Sequence, residues 1–237
     1  MERRVVCGLP SAELQSKSRR LRNLYGLLLQ NPRSRFEYYY GENYQIEMEC
    51  DMAYIQWYLN EVGDILGRLP QDQIAQIIEL LKQARLDRKQ IFLIGNGGSA
   101  ATASHFANDL LKSTVAEGKP RMKVIALTDS IPVMLAYAND CGYETIFAEQ
   151  LDALAAPGDV LVAFSGSGRS PNVLRALDLA RERGLTTVGF TGRDGGQMPE
   201  RCDVCLIAPC QPMEQIEDVH VVLIHLIYSA IRDEAKL

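Results

Sequence analysis

Histidine is scarce in this sequence, with three residues in 237, and tryptophan occurs once. Any site built on imidazole must therefore draw on His105, His220 and His225. Long apolar runs are missing as well. None approaches the roughly 18 residues that a membrane-crossing helix needs, so no such span is expected. The opening Met1-Glu2-Arg3-Arg4-Val5-Val6 lacks the apolar stretch of a secretory signal, and a cytoplasmic location is expected by default. Positive charge is in deficit. A net charge of -5 argues against a general binder of nucleic acid or of a membrane surface. The six cysteines contain one CxxC, Cys202-Asp203-Val204-Cys205, the spacing of a redox pair or of half a zinc site, and no second pair that would complete the latter. The segment 202–209 reads instead as a buried strand in which cysteine serves as a small hydrophobe.

A hydrophobic fraction of 47% and a charged fraction of 23% are those of a globular chain. The length suffices for the core of one α/β domain with an additional arm. Residues 1–45 form that arm. Its first forty residues carry eight Lys/Arg against three Asp/Glu, and Leu14, Leu21, Leu24, Tyr25 and Leu28 predict a helix over 12–30 that ends at Asn31-Pro32. Packing on its own oligomer suits this arm better than nucleic acid, given the acidic whole. Residues 46–237 form the main domain. Apolar residues at helical spacing predict helices over 46–62 and 71–88, separated by Pro70.

From residue 90 onward the period alternates. Short apolar runs predict strands over 90–94, 123–127, 160–165, 186–191 and 204–208. Helices are expected over 100–112, 130–140, 146–154, 171–183 and 216–231. Strands separated by helices of this length imply an α/β, three-layer sandwich: a mainly parallel five-stranded sheet flanked by helices, with an N-terminal helical extension. Ligands of such sheets sit at the carboxyl ends of the strands.

Two glycine-rich turns fall at those ends. Gly95-Asn96-Gly97-Gly98-Ser99 follows the first strand and opens a helix, where free N–H groups and a partial positive charge suit an anionic or polyhydroxyl ligand. Ser165-Gly166-Ser167-Gly168-Arg169-Ser170 follows the third strand, with Pro171 placed as an early helical residue. Its hydroxyls and N–H groups converge on a helix N-terminus in the manner of a phosphate cradle. The Lys-Ser/Thr of a nucleotide P-loop and the GxGxxG spacing of a dinucleotide fold are both absent, so a monophosphate is the expected ligand. A third turn, Thr191-Gly192-Arg193-Asp194-Gly195-Gly196, reads as ordinary loop chemistry. His105 and Asp109 share one helix face at i, i+4 spacing, and the last helix carries Glu217, His220 and His225 behind a turn-like Met213-Glu214-Gln215. Imidazole and carboxylate on two helices suit zinc or a similar divalent ion. The phosphate cradle favours His105 and His225, whereas His220 reads as a surface or packed imidazole.

These motifs, with Ser104-His105-Phe106-Ala107, Ala138-Asn139-Asp140, Gly158-Asp159-Val160-Leu161 and Glu217-Asp218-Val219-His220 in the same order, resemble the phosphoheptose isomerases of the SIS superfamily. The resemblance runs from about residue 91 to 231 and implies the SIS fold. It also implies an aldose–ketose isomerase acting on sedoheptulose 7-phosphate. Ser165, Gly166, Ser167 and Ser170 would hold the phosphate, while Asn96, Gly97, Gly98, Asn139 and Asp140 would contact the sugar chain. His105, Asp109, Glu217 and His225 would hold a divalent metal, zinc by preference, with Asp109, Glu217 and His225 catalytic. Two of these positions depart from the family, whose glutamate falls on Asp109 and whose glutamine falls on Glu217. Asp109 is shorter by about 1.5 Å, one C–C bond, so either carboxylate could be the base. The resemblance further implies a homotetramer with sites at subunit interfaces. Isomerisation of an octose or pentose phosphate, and sugar-phosphate binding by a non-catalytic regulator, are the alternative readings.

Overall fold

A computed structural model describes residues 44–233, with side chains from residue 51 onward. The expected helix over 12–30 lies outside the described residues. The chain divides into two compact units, Met1–Ile55 and Gln56–Leu237. The elements in order are α1 (Tyr44–Gly67), α2 (Gln71–Leu86), β1 (Gln90–Gly95), α3 (Gly98–Asn108) continued by a π-helical turn (Asp109–Ser113), β2 (Lys123–Ala126), α4 (Ile131–Asp140), a 3-10 turn (Tyr143–Thr145), α5 (Ala148–Leu154), β3 (Val160–Ser165), α6 (Pro171–Glu182), β4 (Thr186–Gly192), β5 (Val204–Ala208) and α7 (Met213–Asp233). Among the described residues, no helix is long and apolar enough to cross a membrane.

All five strands are parallel, in the order β2-β1-β3-β4-β5. The α/β architecture expected from the alternating periods is thus the observed one. Strand residues alternate between two cores. Ile91 and Leu93 of β1 and Val160, Val162 and Phe164 of β3 join the core under α2, α3 and α7. Phe92, Ile94, Leu161 and Ala163 join the core under α5 and α6. Both faces of the central strands are therefore covered, which is why they read as unbroken apolar runs rather than alternating ones.

Carboxylates anchor the amino ends of β1 and β4. Asp159 accepts hydrogen bonds from Gln90 N at 2.9 Å and Ala156 N at 2.8 Å. Asp203 accepts from Thr187 N at 2.7 Å. The carboxyl ends are left for function. The chain leaves β1 toward β2 on one side and returns to β3 on the other, so the β1 and β3 ends flank the topological switch point where ligands of open α/β sheets bind. Both glycine-rich turns fall there. Two local expectations fail. Met213-Glu214-Gln215 is the first turn of α7 rather than a loop. Cys202 precedes β5, because a bend at Asp203 interrupts the run before Val204.

Candidate active site

The first turn closes through side-chain amides. Asn96 and Asn172 exchange reciprocal hydrogen bonds at 2.8 and 2.9 Å, and Tyr143 Oη donates to Asn96 Oδ1 at 3.0 Å. Asn172 is buried in the first turn of its helix, and its Oδ1 also accepts from Val173 N at 3.0 Å. It joins the turn after β1 to the helix after β3. Asn172 escaped notice in the sequence because only the sheet order makes those two segments neighbours. Asn96, Gly97, Thr128, Leu135, Ala138 and Tyr143 help to line a cleft of about 210 Å³ beside the turn.

Gly97 caps α3 with φ +53 and offers no side chain to the helix start. Gly98 is needed for space, since a Cβ there would lie 2.5 Å from both carboxylate oxygens of Glu217. A carboxylate therefore already faces the positive end of α3. This favours a neutral polyhydroxyl group over a phosphate at the first turn.

In the serine loop Ser165 and Gly166 are buried, and the hydroxyls of Ser165 and Ser170 stand 3.2 Å apart across the start of α6. Ser167 Oγ accepts from Arg169 N at 3.2 Å. Over Gly166 the nearest side chains are those of Met213 and Ile216 of α7. The third turn is bonded to the serine loop. Arg169 donates to both oxygens of Asp194, at 2.9 and 2.6 Å, and to Ser167 O at 3.1 Å. The hydrogen bond from Arg169, with a further one from Gly196 N, holds the Asp194 carboxyl well below the usual carboxylate range. Gly168, at φ +61, has the Gly195 carbonyl against its α-carbon, and Gln197 N donates to Gly168 O at 2.8 Å.

His105, Asp109 and His225 converge, their ligating atoms all within 4.8 Å of one another. Asp109 Oδ2 lies 3.5 Å from His105 Nε2 and 3.9 Å from His225 Nε2, and the two Nε2 atoms are 3.4 Å apart. Two imidazole nitrogens aimed at one another need a proton or a cation between them. Asp109 is buried while both histidines are about 45% exposed in their side chains. Its Oδ1 takes a long 3.4 Å hydrogen bond from Asn108, and its Oδ2 has no hydrogen-bond partner. That orphaned oxygen beside two imidazoles is a donor set that fits a divalent ion. The π-helical turn begins at Asp109, a local unwinding that often marks functional positions.

The other expected residues are spread out. Glu217 stands outside the triad, against Gly98. Asn139 and Asp140 are exposed at the end of α4, bonded to each other at 2.7 Å. His220 is buried, its ring tilted against Phe164 and edge-on to Phe190, with Nε2 3.2 Å from Thr191 O. Burial lowers its pKa to about 4, so it is a neutral packed imidazole at pH 7, one of the two forms expected of it.

Residues 57–192 match the SIS domain family. A phosphoheptose isomerase of Trichlorobacter lovleyi is 39% identical over 158 residues, 67% of this chain and 80% of that one. Another from Aquifex aeolicus is 34% identical over 185 residues, 78% of this chain and 90% of that one. The solved phosphoheptose isomerase of Neisseria gonorrhoeae superposes with a TM-score of 0.68 at 33% identity, covering 80% of this chain and 98% of that one.

Proposed function

The chain belongs to the phosphoheptose isomerases of the SIS domain family, and from that membership we propose that it interconverts sedoheptulose 7-phosphate and D-glycero-D-manno-heptose 7-phosphate. Aldose–ketose isomerase is its enzyme class. The observation that carries the mechanism is the buried Asp109 Oδ2, free of hydrogen bonds and flanked by the Nε2 atoms of His105 and His225.

The open-chain sugar enters with its phosphate on Ser165, Gly166, Ser167 and Ser170 and its hydroxyls toward Asn96, Gly97, Gly98, Asn139 and Asp140. Asp109 takes the proton from the carbon next to the carbonyl, giving an enediol(ate), and returns it to the neighbouring carbon. His225 moves the second proton between the two oxygens. Asp109 suits the base role better than Glu217, because Glu217 faces Gly98 and stands outside the triad. His105, Asp109 and His225 would hold the divalent ion, zinc by preference, and when bound it would polarise the carbonyl oxygen. We place the enzyme in the cytoplasm as a homotetramer whose subunits complete one another's sites. In support, Asn139 and Asp140 are exposed at the end of α4 and bonded to each other within one chain.

The test is to incubate the purified protein, with and without added zinc, with sedoheptulose 7-phosphate and to follow the aldose by chromatography. Aldose formation is expected. Turnover of only a pentose or octose phosphate would reassign the substrate. Binding without any turnover would identify a regulator and sink the catalytic reading.

A further inference from the structure

The CxxC segment lies apart from the triad, on the α5/α6 face of the sheet, where Cys202 and Cys205 pack against the core. Two features of the backbone bring the thiols together. In the β4–β5 ladder Cys205 is registered opposite Gly189. Residues at i and i+3 of a straight strand stand too far apart for their sulfurs to meet, but the chain is bent here. Asp203 and Thr187 exchange hydrogen bonds: Asp203 N to Thr187 O at 3.0 Å and to Thr187 Oγ1 at 2.9 Å, and Thr187 N to Asp203 Oδ2 at 2.7 Å. Cys202 N is turned back to Met198 O at 3.0 Å. The bend swings Cys202 over the same glycine that Cys205 faces. A Cβ on Gly189 would lie 2.8 Å from Cys202 Sγ and 3.0 Å from Cys205 Sγ. Two sulfurs that close to one point are within a rotamer change of disulfide contact, in room that only glycine leaves. Both cysteines are half-buried, so a small solute can reach them.

We propose that Cys202 and Cys205 are a redox-active dithiol that closes to an intramolecular disulfide when the protein meets a hydroperoxide. The hydrogen bond between the thiols pushes the Cys205 pKa down and that of Cys202 up, so Cys205 is the attacking thiolate and Cys202 the resolving thiol. With hydrogen peroxide, the Cys205 thiolate forms an S–O bond as the O–O bond breaks, and the departing hydroxide takes a proton to become water. Cys202 sulfur then gives up its proton and attacks Cys205 sulfur. The S–S bond forms, the S–O bond breaks, and a second water leaves. Two thiols lose two electrons, and one peroxide becomes two waters.

The experiment treats the native full chain with hydrogen peroxide, alkylates the remaining thiols under denaturing conditions, and examines tryptic peptides by mass spectrometry. Cleavage after Arg201 places Cys202, Cys205 and Cys210 in one peptide. That peptide should become two hydrogens lighter with only Cys210 alkylated, and dithiothreitol should reverse the change. Tandem spectra of the wild-type peptide locate the bond without any variant, since backbone cleavage between 202 and 205 releases no fragment while the bond is closed. The mass loss should persist in Cys210→Ser and vanish in Cys205→Ser. In Cys202→Ser, oxidation should stop at a Cys205 sulfenic acid trapped by dimedone. Alkylation of both Cys202 and Cys205 after peroxide, or a mass loss that survives Cys202→Ser, would overturn the proposal.

Discussion

Asp109 combines burial, a negative charge and an oxygen that receives no hydrogen bond, a combination that costs stability unless a cation or proton is supplied. The two imidazoles beside it are the available source. Asp109→Asn keeps the shape and removes the charge. It should lower kcat by roughly 10²- to 10⁴-fold, the worth of a general base, and reduce the bound zinc measured by elemental mass spectrometry. Retention of both activity and metal would remove Asp109 from the site. His220 is the opposite case, a histidine kept neutral by burial, with a folded pKa of about 4 against 6.5 for the free side chain. The unfolded chain therefore binds the extra proton between pH 6.5 and 4, and stability must fall as pH falls through that window. The loss approaches about 3 kcal/mol at the lower end. Urea midpoints measured between pH 7 and 5, above most carboxylate titration, should decline in the wild type. His220→Gln should flatten that slope. An equal slope in the variant would assign the effect to other groups. Sequence could single out His105 and Asp109 because i, i+4 spacing on a helix fixes a shared face. It could not decide His220, since a packed imidazole and a surface one leave the same letter.

At the level of elements, the strands and helices after residue 90 were legible because each buried run has the period of its element and is punctuated by glycine or proline. What stayed hidden were contacts between segments distant in sequence. The third turn illustrates this: Asp194 reads as a loop residue until β4 is placed beside β3, where it meets Arg169. The Arg169–Asp194 pair ties that turn to the serine loop proposed to hold phosphate, and both side chains are at least half exposed. Arg169→Ala should raise KM by roughly 2- to 5-fold, the worth of an exposed ion pair, with kcat little changed. Asp194→Ala should match it, and the double variant should add nothing, because the two residues act as one unit. If Arg169 instead bound phosphate directly, freeing it in Asp194→Ala would lower KM. Glu217 shows the same limit in reverse: the resemblance aligned it with a metal ligand, yet α7 directs its carboxylate to Gly98 while His225, two turns on, reaches the triad.

For the whole molecule, the outstanding feature is a helix with no buried residue. In α4, Met134, Tyr137 and Ala138 touch the core only partly, whereas Ile131 is 59% and Leu135 64% exposed, and nearby Tyr143 is 59% exposed. Apolar side chains at this exposure, beside a cleft lined by Asn96 and Tyr143, leave transfer free energy unrealised in the single chain. Asn139 and Asp140, proposed to hold the sugar, end the same helix. An assembly that covers α4 would bury the apolar residues and bring those polar groups into an enclosed site in one step. Leu135→Glu places a charge in the middle of this surface without touching a buried core residue, so the fold should survive by circular dichroism. Light scattering after size exclusion should then show a smaller species than the wild-type assembly, and isomerase activity should fall with it. Dissociation with full activity would mean that each subunit carries a complete site. An unchanged assembly would mean that α4 lies outside the interface.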